Sequence, residues 1–340
     1  MPRSRTCGIL RGLRHQRIAA SSGHGPTVSH RRYGDGVPNG TRQVKRRNHT
    51  VNGSYLARFA DDRRLLAGIE LPGRRFPVPV DRATVIRNFY VTRLPDGSES
   101  DQAEDDFCDI EARASASIRI LIDQRRWPIP DAVRADIATW AALQFLRVPA
   151  VRQLAREIAG AYIEVGVPFT TVTGEQTRLR MPTDEADPEK LKRLHLEFIR
   201  KNTPVVTRML YARDWHLTFF TRKTLVTADT PVVLRPMLRY PAGTSVAVGD
   251  AAEVQVPLDR RVALSMTVAG RGDRLVPGSA KIAADLNRAV ADNARRFLFH
   301  HPHDDPLAGL ALPQPRPREL SSPEAAAVLA SNLWAQSTNG

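Results

Sequence analysis

The sequence predicts an α+β fold in which a central helical section packs on β-strands contributed by both the N-terminal and the C-terminal parts of the chain. Residues 65–91 and 217–268 show the short apolar and alternating runs that are typical of strands and hairpins. Residues 102–211, which lie between these sections, repeat apolar residues every three or four positions, as amphipathic helices do. This order of strands, helices and strands argues against a repeating βαβ fold.

The first β section follows a short helix, in which Tyr55, Leu56 and Phe59 share one face. A turn at Pro72-Gly73 then separates two of the predicted strands, so the section reads as a hairpin-rich layer. The strands predicted here are residues 65–71, 76–80 and 88–91.

Three helices fill the middle of the chain. Asp131 is placed to cap the second of them, and Pro149 breaks or kinks it before the helical pattern resumes to about Ala161. The polar, proline-containing residues 170–188 are predicted to form a mobile loop. The helices are predicted at residues 102–122, 132–146 and 189–211.

The alternating pattern returns after Trp215 and predicts a second β section. A final amphipathic helix is predicted over residues 281–299, because Ile282, Leu286, Val290 and Phe297 recur at helical spacing. The strands predicted in this section are residues 217–220, 225–234, 246–248, 254–256 and 262–268.

The positive charge of the chain is concentrated at its N-terminus. The net charge is +14, and the first 48 residues alone hold eleven Lys and Arg against one acidic residue. Such a composition predicts a disordered tail over residues 1–47. The tail is interpreted as a transit-like peptide or translated upstream DNA, in preference to an arm that binds phosphates.

The remaining organisation is a single α+β domain over residues 48–305, a Pro-rich linker over 306–320, and a short C-terminal helix and tail over 321–340. Apolar stretches are too short and too polar to span a membrane, so no membrane partner is expected. Only Cys7 and Cys108 are present, which excludes a disulfide framework and favours a cytoplasmic protein. No P-loop, dinucleotide fingerprint, HExxH or nucleophile elbow occurs, and the histidines show no metal spacing.

Arg147 and Gln144 are the first candidates for a polar site. They lie three residues apart in an otherwise apolar helix, where a guanidinium is expected to pair with a carboxylate. Glu111 and Asp229 are the candidate acids. Glu104, two helical turns before Glu111, is interpreted as part of a solvated acidic helix start.

Asp229 interrupts an apolar run and precedes Pro231, so its carboxylate needs a hydrogen-bonding or charged partner. A buried ion pair with Arg147 is slightly favoured over a position in a pocket wall. His49 joins the candidate set because it stands where the folded region begins. The predicted catalytic residues are Asp229, Glu111 and His49, and the predicted substrate-binding residues are Arg147 and Gln144. No metal-binding residue is predicted, and the sequence leaves the cofactor unknown.

Taken together, several stretches resemble DUF4238, a mainly bacterial family that is catalogued as a domain of unknown function. The resemblance covers about residues 48–303, and it implies no activity. Two departures from the family pattern are Thr50 and Ala228, where the family has tyrosine and often serine. The matching residues are His49-x-Val51, Tyr55-Leu56-x-x-Phe59, Asn88-Phe89-Tyr90, Glu104, Glu111, Gln144-x-x-Arg147-x-Pro149, Trp215, Thr227-x-Asp229-x-Pro231-Val232, Pro257-Leu258 and Asn287.

Three functions remain open from the sequence. The first is a ligand-binding protein or hydrolase whose polar pocket acts on an anionic small molecule. The second is an interaction or defence-associated protein without enzymatic activity, in which the same polar residues are structural. The third is association with nucleic acid through the basic tail, which depends wholly on residues 1–48.

Overall fold

The computed structural model describes residues 43–152, 168–170, 176–178, 188–237 and 247–315. The chain separates into two units, residues 1–44 and 45–340, and the elements below all belong to the second unit. Residues 1–42 of the predicted disordered tail and the predicted C-terminal helix lie outside the described residues, as does most of the predicted loop at 170–188. Arg47, the last residue of that predicted tail, instead begins a strand.

Five helices alternate with short strands along the described residues, which confirms the predicted α+β class. Residues 149–152 are helical again after the break that was predicted at Pro149. The helices are α1 (Gly53–Leu56), α2 (Gln102–Ile122), α3 (Asp131–Leu146), α4 (Pro188–Tyr211) and α5 (Ala280–Asn293).

Fifteen strands are found in the described residues, and most of them belong to two larger sheets. The strands are β1 (Arg47–His49), β2 (Leu65–Glu70), β3 (Arg74–Pro79), β4 (Val85–Arg87), β5 (Thr92–Arg93), β6 (Glu99–Ser100), β7 (Pro168–Thr170), β8 (Gln176–Arg178), β9 (Asp214–Phe219), β10 (Thr227–Ala228), β11 (Val233–Pro236), β12 (Ala251–Asp259), β13 (Val262–Thr267), β14 (Arg274–Pro277) and β15 (Phe297–His300).

A four-stranded antiparallel sheet joins the two ends of the folded region in the order β10-β15-β2-β3. The late strand β15 therefore lies beside the early hairpin of β2 and β3, with Leu298 opposite Ile69. A five-stranded sheet has the order β11-β12-β13-β9-β14, in which only β14 runs parallel to its neighbour. The small pair of β1 and β4 holds the segment that leads into the candidate site.

The helical section packs on strands from both parts of the chain, as predicted. At the end of α3, Arg147 donates to the carbonyl of His49 in the N-terminal strand β1. From α3, the Arg134 guanidinium lies 4.7 Å from the centre of the Trp215 ring in β9. From α1, the Tyr55 hydroxyl is 2.6 Å from Thr227 Oγ1 and donates to the Pro257 carbonyl at 2.8 Å. The Tyr55 ring also contacts Trp140 of α3. Buried apolar residues from these elements form one core.

Three predicted elements in the second β section are wrong, as is the strand predicted at residues 88–91, which form a turn between β4 and β5. In the predicted strand 246–248, Val248 instead begins a short 3-10 helix, Val248–Asp250. The predicted helix 281–299 ends at Asn293, and Phe297 instead begins β15. Helical spacing continues past the boundary, but the backbone of residues 297–300 pairs with both β2 and β10, and this tertiary pairing overrides the local pattern. The predicted strand 225–234 is two short strands, β10 and β11, in different sheets.

Within the described ranges, none of the helices is long and apolar enough to cross a bilayer.

Candidate functional site

Arg147 lies at the C-terminal end of α3 and binds two separate parts of the chain. Its Nη1 donates to Glu111 of α2, and its Nη2 donates to the backbone carbonyl of His49. One turn earlier, the Gln144 side-chain oxygen accepts the Asn52 N–H at 3.2 Å. The two side chains on one face of α3 thus fix both ends of the loop that links β1 to α1.

Aromatic rings enclose this guanidinium. Only 1% of Arg147 is exposed, and its guanidinium carbon lies 5.3 Å from the centre of the Phe107 ring and 5.8 Å from that of Tyr90. The Tyr90 hydroxyl donates to the Arg147 carbonyl at 2.9 Å. Burial opposes the charge of Arg147, but Glu111, Tyr90 and Glu104 outweigh it and raise the Arg147 pKa above its usual range. The residue is therefore a fixed positive charge.

Glu104 and Glu111 stand two helical turns apart on the same face of α2, on either side of Phe107. Glu111 keeps 18% of its side chain exposed and pairs with Arg147. Burial raises the pKa of Glu104 to about 7, with Glu111 adding to the rise and Arg147 opposing it. The Glu104 carboxyl therefore changes its charge near neutral pH, beside a carboxylate that is ion-paired.

Asn48 connects Glu104 to the strand that carries His49. Its side-chain nitrogen donates to Glu104 at 3.4 Å and to the Lys45 carbonyl at 3.1 Å, while its oxygen accepts the Tyr90 N–H at 3.1 Å. Asn48 is fully buried, so Glu104 is tied to the protein interior at one of its oxygens. The prediction of a solvated acidic helix start is wrong for Glu104.

His49 is half-buried beside the same charges. Burial lowers its pKa, and the positive charge of Arg147 lowers it further, although Glu111 acts in the opposite direction. The imidazole is therefore neutral at pH 7. Its Nε2 atom is 3.7 Å from the position that a side chain at Gly53 would occupy, so the absence of a side chain there leaves room beside the ring.

Three buried polar atoms of this cluster have no hydrogen-bonding partner among the described residues. They belong to the three residues that converge on the loop between β1 and α1, where satisfied groups would be expected. Buried polar groups that lack partners concentrate at sites that bind ligands or water. The atoms are His49 Nε2, Gln144 Nε2 and Arg147 Nε.

Asp229 is not part of this cluster, and the favoured ion pair between Arg147 and Asp229 does not form. The Asp229 carboxylate instead accepts the backbone N–H groups of Arg295, Arg296 and Phe297 at 3.0, 2.9 and 3.2 Å. Burial raises its pKa, and these three donors partly offset the rise. Asp229 joins β10 to the segment that precedes β15, and this is a structural role.

The structure thus brings together four of the five predicted site residues, His49, Glu111, Gln144 and Arg147, and separates Asp229 from them. Of the two candidate acids for Arg147, it selects Glu111. The sequence analysis missed Asn48 and Tyr90 and set Glu104 aside. The seven-residue spacing of Glu104 and Glu111 could have indicated that Glu104 shares a helix face with Glu111. No sequence pattern pointed to Asn48, because the residues that it contacts are distant in sequence.

Other features do not extend the site. No group of three or more His, Cys, Asp or Glu in the described part of the chain is arranged to hold a metal. A cavity of about 510 Å³ is lined by residues 124–131, and one of about 280 Å³ lies between the β2–β3 hairpin and His300. Neither cavity includes Glu104, Glu111 or His49.

Comparison with known proteins places the chain in a family. No functionally curated protein and no solved structure matches it. The sequence model of one family, described as a protein of unknown function (DUF4238), matches residues 47–304. This match covers most of the chain, and the protein therefore belongs to the DUF4238 family.

Proposed function

We propose that this protein is a cytoplasmic hydrolase that binds a small molecule at Glu104, Glu111 and His49. The observation that carries the proposal is a pair of carboxylates on one face of α2 whose environments differ. Glu111 is paired with Arg147, while burial raises the pKa of Glu104 to about 7. A carboxyl group whose pKa burial has raised, beside a second carboxylate in a different environment, is a usual mark of divided acid and base roles.

In this proposal Glu104 gains and loses the proton, because a group with a pKa near the working pH is the most effective general acid or base. The oxygen of a water molecule bonds to the carbonyl carbon while Glu104 takes the proton of that water, and Glu104 returns the proton to the leaving oxygen as its bond to carbon breaks. Glu111 holds Arg147 in place, and the neutral His49 ring accepts a hydrogen bond. Arg147 acts as a positioning residue, since both of its terminal nitrogens are occupied within the protein. Gln144 positions the loop at Asn52 in the same way.

The pairing of Arg147 changes the expected substrate. An anionic molecule was expected from an available guanidinium, but Glu111 neutralises that charge and Glu104 adds further negative character. We therefore favour a neutral molecule with a hydrolysable carbonyl group over the anionic small molecule that the sequence suggested. No metal or other cofactor is invoked.

The test is hydrolysis of a panel of p-nitrophenyl esters by the full chain between pH 5 and 9. We expect a rate that changes with an inflection near pH 7 and that falls at least about 100-fold in Glu104→Gln, the usual loss for a general acid or base. Asp109→Asn is the matched control, because Asp109 is an exposed acid on the same helix. Equal rates in wild type and a folded Glu104→Gln protein would contradict the proposal.

The second candidate is an interaction protein in which the polar residues are structural. Asp229 favours it, because its carboxylate is saturated by three backbone donors. Asp229→Asn keeps the shape of the side chain but places an amide NH2 donor against backbone N–H groups that also donate. The free energy of unfolding should therefore fall by about 1–3 kcal/mol. If Glu104→Gln and Glu111→Gln also change only stability, and never turnover, this second function is the better one.

A further inference from the structure

Helix α4 carries a stripe of large apolar side chains that are exposed. They recur at intervals of four, seven and four residues, which places them on one face of a helix. The stripe extends for about 22 Å along the helix at 1.5 Å per residue. The residues of this α4 stripe are Leu194, Phe198, Val205 and Met209, each between 37% and 48% exposed.

The stripe is separate from the face that anchors α4 to the core. That face is formed by His195, Ile199, Thr203, Val206 and Leu210, which are all buried. Among the described residues, the packing of α4 on the core uses this other face and does not account for the apolar stripe. Exposed apolar residues in a continuous row, unlike single ones, mark a surface that binds something.

Positive charge accompanies the stripe. Lys201 lies three residues after Phe198 and four before Val205, and Arg208 lies three residues after Val205, so both border the apolar row. Lys201 also pairs with Glu197 of the same helix at 2.7 Å, but its side chain stays exposed and can exchange this partner for a headgroup. Along its whole length α4 contains six Lys and Arg against two acidic residues. A partner that covers this face must offer apolar contact and negative charge together.

A second copy of the chain does not fit this requirement. A twofold dimer through the stripe would bring the basic border of one copy against the same border of the other. Like charges in such a contact are unfavourable. An anionic lipid surface does fit, because basic helices with a row of Leu, Phe or Met lie in the headgroup region of such bilayers. Residues 1–44 contribute +7 of the net charge of +14, and the +7 that remains on residues 45–340 adds long-range attraction to an anionic surface.

We propose that α4 docks the protein on the surface of anionic phospholipid membranes through Leu194, Phe198, Val205 and Met209, with Lys201 and Arg208 at the headgroups. The protein lies on the membrane and does not cross it. This departs from the expectation, drawn from the sequence, that the protein has no membrane partner. The docking surface is independent of the Glu104 cluster, so each proposal stands without the other.

The test is co-sedimentation of the full chain with vesicles of phosphatidylcholine alone or with 30% phosphatidylglycerol, at about 0.1 M salt. We expect binding to the anionic vesicles, and a partition coefficient at least about tenfold lower in Phe198→Ser/Met209→Ser, because inserted apolar area drives such binding. Val268→Ser/Leu275→Ser is the matched control, since these side chains are at least as exposed but lie on other elements.

Charge reversal separates the border of the stripe from the charge of the whole chain. Lys201→Glu/Arg208→Glu should weaken binding at least about fivefold more than Lys281→Glu/Arg288→Glu, which alters the net charge equally on exposed positions of α5. Failure of the wild type to bind anionic vesicles overturns the proposal. So does binding that the stripe variants leave unchanged, or a dimer that dissociates when Phe198 and Met209 are replaced.

Discussion

Arg147 carries a positive charge in an apolar part of the protein, and the negative charge of Glu111 offsets the free-energy cost of burying it. The guanidinium is almost completely buried and lies against the rings of Tyr90 and Phe107. Removing one member of a buried pair leaves an uncompensated charge, which costs far more than the pair contributes. The stability of this region therefore depends on the negative charge of Glu111 more than on the shape of its side chain.

We predict that Glu111→Gln lowers the free energy of unfolding by about 2–4 kcal/mol, somewhat less than for a fully enclosed pair because Glu111 keeps some contact with solvent. Urea denaturation monitored by fluorescence measures the change. Asp109→Asn, on the exposed side of the same helix, should change stability by less than about 0.5 kcal/mol. A Glu111→Gln protein as stable as this control would show that Arg147 does not need its partner.

Glu104 makes stability depend on pH in the opposite sense to an ordinary ion-paired acid. Burial raises the pKa of the folded carboxyl to about 7, from a value of 4.5 in the unfolded chain. Below pH 4.5 both states hold the proton, and between 4.5 and 7 only the folded state keeps it. The stabilisation is therefore present at low pH and is lost as pH rises towards 7.

We predict that the difference in stability between wild type and Glu104→Gln changes across this window. The variant should gain on the wild type from pH 5 to pH 8, because glutamine cannot ionise. Comparing the two proteins cancels His49 and the other buried histidines, whose lowered pKa values make stability fall as pH falls. A constant difference from pH 5 to 8 would mean that the pKa of Glu104 is not raised.

At the scale of elements, the join between β14 and β9 depends on a glycine. The Gly278 N–H donates to the Phe219 carbonyl at 3.2 Å, where the parallel pair ends. A side chain at 278 would overlap that carbonyl and lie 2.7 Å from the Phe220 ring. Because this carbonyl belongs to the backbone, it cannot rotate away as a side chain could. The strands β14 and β9 would therefore have to move apart.

We predict that Gly278→Ala destabilises the protein by about 1–3 kcal/mol, the usual cost of forcing an extra group into a packed region. Gly249→Ala is the matched control, since a side chain there meets nothing within 4 Å. Thermal unfolding of both variants measures the effect. Equal melting temperatures would show that β14 can move away from β9 without cost.

Local pattern predicted most of the elements, because their apolar periodicity agrees with their burial. It failed where tertiary pairing decides the structure. Residues 297–300 continue a helical spacing, yet they pair with β2 and β10, which are about 230 and 70 residues earlier in the chain. The four-stranded sheet therefore could not be read from any single stretch of the sequence.

The candidate site, like the fold, could be predicted only in part from local sequence patterns. That Arg147 needs an acid follows from one buried charge in an apolar helix, and Glu111 was among the candidates. The choice between Glu111 and Asp229 depends on backbone geometry, because the N–H groups of residues 295–297 satisfy Asp229 without any charged side chain. A sequence pattern indicates which side chains could pair with each other. It does not indicate which backbone N–H groups will lie beside a given carboxylate.

At the scale of the whole molecule, charge is unevenly distributed along the chain. The first 44 residues contain eight Arg and a single acidic residue, and they account for much of the net charge of +14. A cluster of this kind attracts nucleic acid without regard to sequence, because bound phosphates release counterions. Any such binding should therefore depend on these residues and very little on the DUF4238 domain.

We predict that the full chain binds a non-specific DNA duplex at about 0.05 M salt, and that deleting residues 1–44 weakens binding at least about tenfold. The slope of log affinity against log salt should become shallower by up to about 7, in proportion to the eight lost arginines. Fluorescence anisotropy measures both quantities, and replacing the eight arginines by glutamine is the length-matched control. If deletion leaves affinity and slope unchanged, the positive charge of the folded domain is what holds DNA. An intact mass that begins near residue 45 would show instead that the native protein lacks the tail, and that this interaction does not occur in the cell.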